Sequence, residues 1–312
     1  MSPDKPYDVL VIGAGPAALS AAIYTTREDL STVLVEKGVV GGLAAITDKI
    51  DNYPGFADGV TGMDLADSLW KQAERFGTKI EYGEVTALDG KNKIKKVSTT
   101  AGDMYSRSVL IATGTDWKKL GIPGEDTYYG RGVHYCATCD GPLYRDKKLV
   151  VVGGGNSAIQ ESIFLTKFAS HIDLLVRGDS LRASDVLQHE LEEYKDKITV
   201  HFNTTTDEIL GDDKLVSKVV GTDKKTSKKV EFEAEGVFIF IGLKPTTGFL
   251  ESSGVERSEI GFVKTNADLS TNIDGVFAAG DVRDGATMQI ASATGEGATA
   301  ALKIREYLHA NR

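Results

Sequence analysis

The hydrophobic pattern of the chain repeats one arrangement twice. Tyr7–Ile12 is a short apolar run, followed by a glycine-rich turn, a helix-like stretch and a second apolar run at 32–35. The same order starts again at Lys148–Val152 and reaches its second strand at His171–Val176. A strand that leads through glycines into a helix and a further strand is typical of a βαβ unit with parallel strands. The pattern therefore predicts an α/β fold built from two such units.

The remaining segments carry the patterns of further helices and strands. They predict a helix over 64–77, strands over 79–100 and 103–112 with a polar hairpin at 89–93, short strands over 197–240, and a last helix over 295–307. No low-complexity linker separates these parts. We therefore expect the second unit to be inserted into the first domain rather than tethered after it.

Both turns have the glycine spacing of nucleotide-binding units, Gly-x-Gly-x-x-Ala, at 13–18 and at 153–158. The first glycine allows the tight turn, the second lets the backbone approach a pyrophosphate, and the small third residue lets helix and strand pack closely. The start of the helix offers free N–H groups to the phosphates. Glu36 ends the next strand, where a carboxylate accepts hydrogen bonds from ribose hydroxyls. Two such motifs in the same order predict two dinucleotide sites.

Composition narrows the class of protein. The 312 residues allow two domains. A net charge of −9 argues against general nucleic-acid binding, which needs a basic surface. No apolar run approaches the roughly 18 residues that a membrane helix needs. We expect a cytoplasmic protein with neither a nucleic-acid nor a membrane partner.

The chain has two cysteines, Cys136 and Cys139. Two are too few for a disulfide-stabilised secreted domain, so they form either a redox pair or half of a metal site. A redox dithiol needs one thiol to attack and another to resolve, and two cysteines three apart at a helix start face the same way. His134 and Asp140 lie nearby, but structural zinc takes four ligands, often from two separate pairs. The pattern favours a redox pair without a metal.

These motifs together resemble the low-molecular-weight thioredoxin reductases over essentially the whole chain. The matching blocks are VIGAGPA at 11–17, Gly41-Gly42 leading into IDNYPG at 50–55, IATG at 111–114, GVHYCATCDG at 132–141 and GVFAAGDVR at 275–283. The last two blocks are highly specific.

The resemblance implies two dinucleotide-binding, Rossmann-like domains of three layers each. Residues 1–116 and 246–312 would form a discontinuous FAD domain, and residues 117–245 an inserted NAD(P)-binding-like domain that carries the cysteine pair. By the same resemblance, Cys139 contacts the flavin, Cys136 exchanges with the partner's disulfide, and Asp140 protonates the leaving thiolate. His134 stands where many relatives have Ser, and we expect an ordinary surface histidine there.

The resemblance also places the FAD site. Asp281 matches the residue on the ribitol side, Gln289 and Ile290 match positions near the isoalloxazine, and Thr47 and Asn52 match positions that line the same cleft. The full set of expected FAD-binding residues is Gly13, Gly15, Pro16, Ala17, Glu36, Gly42, Thr47, Asn52, Val85, Ala112, Thr113, Gly114, Gly280, Asp281, Gln289 and Ile290.

The nicotinamide-nucleotide site departs from the family pattern. The expected residues are Gly153, Gly155, Asn156, Ser157, Arg177 and Arg182. NADPH-dependent members carry His-Arg-Arg at the next strand end and a further Arg four residues on, which clamp the 2′-phosphate. Here the His is Val176 and the second Arg is Gly178, so part of the clamp is lost. An acidic residue for NADH is also missing at Val176. Three donors remain open: NADPH, NADH, and a reduced protein such as ferredoxin.

The expected function is a disulfide reductase that passes electrons from its donor through FAD and the cysteine pair to thioredoxin or a similar disulfide protein. The family is commonly a homodimer. Flavoproteins of the same scaffold that exchange electrons between ferredoxin and NADP lack the cysteine pair, which argues against that class. A flavin-bearing redox sensor that signals through its dithiol is the non-enzymatic alternative.

Overall fold

The computed structural model describes residues 5–47, 50, 52–212 and 214–311. The strands are β1 (Tyr7–Ile12), β2 (Thr32–Glu36), β3 (Lys79–Tyr82), β4 (Val85–Asp89), β5 (Lys95–Thr99), β6 (Gly102–Ile111), β7 (Thr115–Trp117), β8 (Val133–His134), β9 (Lys148–Val152), β10 (His171–Val176), β11 (Ile198–Phe202), β12 (Thr204–Gly211), β13 (Val216–Asp223), β14 (Lys228–Glu233), β15 (Gly236–Ile239), β16 (Leu243–Pro245) and β17 (Val276–Ala278). The helices are α1 (Pro16–Arg27), α2 (Gly42–Ala45), α3 (Gly62–Arg75), α4 (Ala137–Asp140), α5 (Asn156–Leu165), α6 (Asp185–Glu192) and α7 (Ile290–Ala310), with 3-10 turns at Gly141–Tyr144 and Gly248–Leu250.

The chain forms two compact units, each of them α/β as predicted. The described residues of Met1–Asp116 and Lys244–Arg312 make the first unit, and Trp117–Leu243 makes the second. None of the helices in the described part of the chain combines the length and apolar composition needed to span a bilayer.

The first unit is built on a mixed sheet in the order β3-β2-β1-β6-β5-β4, with β17 also paired to β6. Its central strands are parallel and apolar on both faces, as covered parallel strands are. Val9 and Val11 of β1 pack with α1 and α7, whereas Leu10 and Ile12 pack on the opposite side with residues of β17. This arrangement brings the carboxyl end of β1 and the start of α1 together at one edge of the sheet.

The second unit repeats this plan with a parallel sheet in the order β11-β10-β9-β15-β8. Residues of α5 and α6 cover one face. A three-stranded antiparallel sheet, β12-β13-β14, contributes to the core on the other face. The predicted pair of Rossmann-like sheets is thus confirmed.

Two sequence expectations need comment. The last helix begins at Ile290 rather than at residue 295, because Gln289 takes an extended N-cap conformation directly after the left-handed Met288. Asp51, which belongs to the matched block at 50–55, lies outside the described residues.

The points where the chain leaves and re-enters the first unit are adjacent. The N–H of Thr246 donates to the carbonyl of Gly114 at 3.1 Å. The hydroxyl of Thr113 donates to the carbonyl of Thr246 at 2.7 Å. The first unit is therefore continuous in space although its sequence is interrupted.

Candidate active site

The two cysteines form a disulfide at the start of α4. Cys136 is the extended N-cap residue of this helix and Cys139 lies in its only turn, so their Cα atoms are 5.3 Å apart. Both side chains are partly exposed. Gly132, which precedes β8, has a φ of +124°, and a Cβ there would lie 2.5 Å from a methyl group of Val216. This close packing fixes the strand that leads into the cysteine pair.

His134 is buried, so the expectation of a surface histidine was wrong. Its Nδ1 lies 3.2 Å from Oδ2 of Asp140, and its Nε2 lies 2.6 Å from the hydroxyl of Tyr144. The imidazole also stacks on Phe238 with ring centroids 5.2 Å apart. β8 is an edge strand of the parallel sheet, but its last residue is covered by the segment that follows the cysteines. This burial has no local sequence signal, because the covering side chains follow a loop and a one-turn helix.

Tyr144 remains protonated at physiological pH. Burial, and secondly the nearby Asp140 carboxyl group, raise the pKa of its hydroxyl well above the usual range. Its O–H is therefore available to His134. Tyr144, like His134, was not among the predicted site residues.

The first glycine-rich turn leaves open space at the start of α1. Gly13 has a φ of +105°, and a Cβ there would lie 2.5 Å from the carbonyl oxygen of Ala112. A Cβ on Gly15 would meet nothing within 4 Å. The Gly41-Gly42 segment closes over this turn, since Gly41 N–H donates to Ala14 at 2.8 Å and a Cβ on Gly42 would lie 3.6 Å from Gly15. The structure therefore brings Gly13, Gly15 and Gly42 together.

Glu36 reaches back from the end of β2 to the same turn. Its carboxylate accepts the N–H of Ala14 and the N–H of Gly38, each at 2.7 Å. The carboxylate is thus fixed beside the turn.

Asn52 and Gln289 meet although they are far apart in the sequence. The amide of Asn52 donates to Oε1 of Gln289 at 3.1 Å. Gln289 is the N-cap of α7 and Ile290 its first residue. Thr47 lies after α2, where its carbonyl accepts the N–H of Gly62 at 2.9 Å.

The other predicted flavin positions are distributed around the first sheet. Ala112 follows β6 and donates its N–H to Ile12 at 2.9 Å, with Thr113 and Gly114 directly after it. Pro16 and Ala17 open α1. Val85 begins β4.

Asp281 carries a half-buried carboxyl group. It follows β17, next to Gly280, where a Cβ would lie 3.0 Å from Ala17. Burial, and secondly the charge of Glu296, raise the pKa of Asp281 to about 6. In the described part of the chain no hydrogen bond or ion pair reaches this carboxyl group, whereas Glu296 pairs with Arg283 at 2.6 Å.

The second glycine-rich turn repeats the first. Gly153 has a φ of +150°, and a Cβ there would lie 2.4 Å from the carbonyl oxygen of Phe240, whereas the space beside Gly155 is open. Asn156 uses its side chain to accept the N–H of Ser184 at 2.9 Å. Ser157 and Arg177 are exposed. Arg182, also exposed, donates its backbone N–H to Gly154 at 2.7 Å.

A lysine from a distant hairpin lies beside this second turn. Nζ of Lys224 donates to the carbonyl of Arg177 at 3.3 Å, just beyond the end of β10. Lys224 was not among the predicted site residues, because it is 47 positions away from Arg177 and reaches it through strand pairing rather than a local motif.

The described residues contain no group of three or more His, Cys, Asp or Glu side chains that could hold a metal ion. In the cluster of His134, Cys136, Cys139 and Asp140, the two sulfur atoms are bonded to each other.

Comparison with known proteins gives consistent results. Residues 7–297 match the family described as "Pyridine nucleotide-disulphide oxidoreductase". The chain is 41% identical over 309 residues to a thioredoxin reductase of Bacillus subtilis (strain 168), covering 99% of this chain and 96% of that one. It is 40% identical over 302 residues to the thioredoxin reductase of Treponema pallidum (strain Nichols), covering 97% of each. The crystal structure of thioredoxin reductase from Streptococcus pyogenes MGAS5005 superposes with a TM-score of 0.90 at 39% identity, covering 97% of this chain and 98% of that one.

Proposed function

The chain belongs to the pyridine nucleotide-disulphide oxidoreductase family, and we propose that within this family it works as a thioredoxin reductase. The observation that carries the proposal is the Cys136–Cys139 disulfide at the start of α4, in a chain that matches thioredoxin reductases over nearly its whole length. The proposed reaction moves two electrons from a nicotinamide nucleotide through FAD to this disulfide. The resulting dithiol then reduces thioredoxin or a similar disulfide protein.

The dithiol reduces its partner in two exchanges. The Cys136 thiolate attacks one sulfur of the partner's disulfide, which forms a mixed disulfide and releases the other partner sulfur as a thiolate. The Cys139 thiolate then attacks Cys136, which restores the Cys136–Cys139 bond and releases the second partner thiolate. The two protons lost by the cysteines end on the partner's two sulfurs, and we assign Asp140 to carry a proton between them.

FAD is the cofactor we propose for the first unit, where it supplies a carrier that takes up a hydride and passes on electrons. The open space beside Gly15 and the uncapped start of α1 fit a pyrophosphate. Glu36 would bind the ribose, and the unpartnered Asp281 a ribitol hydroxyl group. The further residues proposed to line the cofactor are Gly13, Pro16, Ala17, Gly42, Thr47, Asn52, Val85, Ala112, Thr113, Gly114, Gly280, Gln289 and Ile290.

NADPH is the electron donor we propose, bound at the second turn through Gly153, Gly155, Asn156 and Ser157. The family's second arginine is replaced by Gly178, but Lys224 supports a site for the 2′-phosphate. The backbone fixes its hairpin to the strand-end loop, since Lys224 N–H donates to Asn203 at 2.8 Å and Asn203 N–H donates to Gly178 at 2.7 Å.

Three cations lie near the second turn. In the described part of the chain, no carboxylate forms an ion pair with the side chain of Arg177, Arg182 or Lys224. A 2′-phosphate carries up to two negative charges and accepts charge-assisted hydrogen bonds from such groups. NADH offers only a hydroxyl group there, and Val176 provides no carboxylate to bind it.

Anaerobic mixing tests the function and the donor together. We expect NADPH to bleach the flavin absorbance of the oxidised protein much faster than NADH does, and thioredoxin to reoxidise it. If neither nucleotide bleaches the flavin but dithionite-reduced protein still reduces thioredoxin, the donor is a reduced protein such as ferredoxin. If reduced protein leaves thioredoxin oxidised, the proposed function is wrong.

Lys224→Gln tests the proposed phosphate contact. Loss of one exposed charge-assisted contact is expected to raise the KM for NADPH about 5- to 10-fold and to leave the KM for NADH unchanged. Lys214→Gln is the matched control, because Lys214 is exposed just before the opposite end of β13, on the order of 25 Å away. Equal KM values for NADPH in the two variants would show that Lys224 does not contact the nucleotide.

Assembly and location follow the family in our proposal: a homodimer in the cytoplasm. Sedimentation of the purified protein at several concentrations tests the homodimer, and a monomer at all of them would contradict it.

A further inference from the structure

His134 occupies a buried position that the proposed reaction does not use. Burying an imidazole costs free energy unless its ring nitrogens have polar partners. Here Nε2 lies 2.6 Å from the Tyr144 hydroxyl group and Nδ1 lies 3.2 Å from Asp140. Phe238 stacks on one face of the ring, and Tyr144 meets it edge-on at 5.3 Å. These contacts leave the ring with one orientation.

Asp140 depends on this ring for its position. Among the described residues, the contact with His134 Nδ1 is the one polar contact of the Asp140 side chain. No described residue donates a hydrogen bond to the other carboxyl oxygen, Oδ1. Asp140 ends a helix of four residues and directly follows Cys139 in the sequence.

From this geometry we propose that His134 is a positioning residue for Asp140, which it holds by Oδ2 so that Oδ1 stays free to exchange a proton with the cysteine pair. This inference rests on the proposed function, because it takes Asp140 as the proton carrier of disulfide exchange. The two atoms are 3.2 Å apart but are not aligned as a hydrogen bond, and catalytic hydrogen bonds are often poorly aligned before a partner binds.

The proposal fixes the tautomer of His134. Nδ1 must carry a proton to donate to the Asp140 carboxylate, and Nε2 can then accept the O–H of Tyr144. Tyr144 can supply this O–H because burial keeps it protonated. The chain Tyr144 O–H···Nε2, Nδ1–H···Oδ2 thus ends at the residue that directly follows Cys139.

Two amide substitutions separate positioning from space filling. The amide nitrogen of an asparagine occupies about the place of Nδ1, whereas that of a glutamine occupies about the place of Nε2. His134→Asn can therefore still donate to Asp140 but loses Tyr144. His134→Gln can still reach Tyr144 but loses Asp140.

We would measure single-turnover exchange between the chemically reduced protein and oxidised thioredoxin by counting thiols after acid quench. Because general acid–base catalysis contributes roughly 10²- to 10⁴-fold and misplacement forfeits part of it, we expect His134→Gln to slow exchange about 10-fold. His134→Asn is expected to stay within about 3-fold of the unsubstituted protein, with thioredoxin binding alike in both. Equal rates in the two variants, fast or slow, would overturn the proposal.

The nitrogen-15 spectrum of His134 gives a readout that does not depend on activity. The chain has five histidines, and the signal missing from His134→Asn identifies the right one. We expect a proton on Nδ1, and a bare Nδ1 would overturn the proposal. The two failures remain distinct, since an incorrect function shows as no exchange in the unsubstituted protein, whereas an incorrect role for His134 leaves that exchange intact.

Discussion

The two glycine-rich turns share a backbone and differ in what surrounds it. In each, the first glycine is left-handed and packs on a carbonyl of the neighbouring strand end, at Ala112 in one unit and Phe240 in the other. The ends of the next strands differ. At the first turn, the next strand ends in Glu36, which presents a carboxylate. At the second turn, the next strand ends in the buried Val176, and the nearby charges are the cations of the strand-end loop and Lys224. The two turns therefore share a backbone conformation and differ in the charges that the surrounding segments place beside them.

The first glycine of each turn should give the largest effect. Gly13→Ala and Gly153→Ala each place a Cβ within 2.5 Å of a carbonyl oxygen, at φ values that L-residues rarely adopt. We expect a loss of about 3 kcal/mol or more in the free energy of unfolding, measured by urea denaturation. An unfolding midpoint unchanged in either variant would show that the turns are not equivalent.

Substitution of the second glycines separates folding from binding and serves as the control. Gly15→Ala and Gly155→Ala add a Cβ in open space, so we expect unfolding free energies within about 0.5 kcal/mol of the unsubstituted protein. Gly15→Ala should lower the bound flavin content, and Gly155→Ala should raise the KM for NADPH with a normal flavin content. The reverse pattern would mean that the first turn binds NADPH and the second turn binds FAD, contrary to our assignment.

The strand ends should show crossed effects of intermediate size. Arg177→Gln and Arg182→Gln each remove a proposed phosphate contact, and we expect the KM for NADPH to rise about 10-fold while that for NADH is unchanged. Glu36→Gln should weaken FAD binding about 10-fold and leave the KM for NADPH unchanged in the flavin-loaded protein. Equal loss of NADPH and NADH binding in the arginine variants would mean that these residues do not read the 2′-phosphate.

Asp281 should give the smallest effect, visible in the flavin-free protein. Its pKa is raised to about 6, so the folded state holds the proton more tightly than the unfolded state. Its contribution to stability is therefore present at about pH 4 and is lost as the pH rises to about 6. Asp281→Asn should abolish this decline and raise the melting temperature by roughly 2 °C at pH 7.5. A lower melting temperature than the unsubstituted protein at that pH would contradict the sign.

The sequence predicts features that depend on a local pattern, such as strand bounds, but not contacts between residues that are distant along the chain. β1, β9 and β10 begin and end where predicted, because apolar runs bounded by polar residues and glycines leave little freedom. The cysteine pair can be predicted equally well, because its geometry is set within one helical turn. The position of Lys224 could not be predicted, because antiparallel strand pairing brings it to Arg177.

His134 shows the complementary limit. Its burial depends on Tyr144, ten positions further on, and on Phe238 of another strand. From the sequence alone, a histidine near a surface loop is predicted to be exposed, because the partners that bury it are distant along the chain. The first residue of α7 was not predicted for a related reason. Gln289 caps the helix by its backbone conformation, without a side-chain hydrogen bond that the sequence would indicate.

The contact between Gly114 and Thr246 bears on how such a chain is assembled from gene segments. Because the two backbone ends of the first unit already touch, splicing out the segment that encodes the second unit requires a bridge of only a few residues. A deletion variant that joins these two ends would show whether the first unit folds without the second.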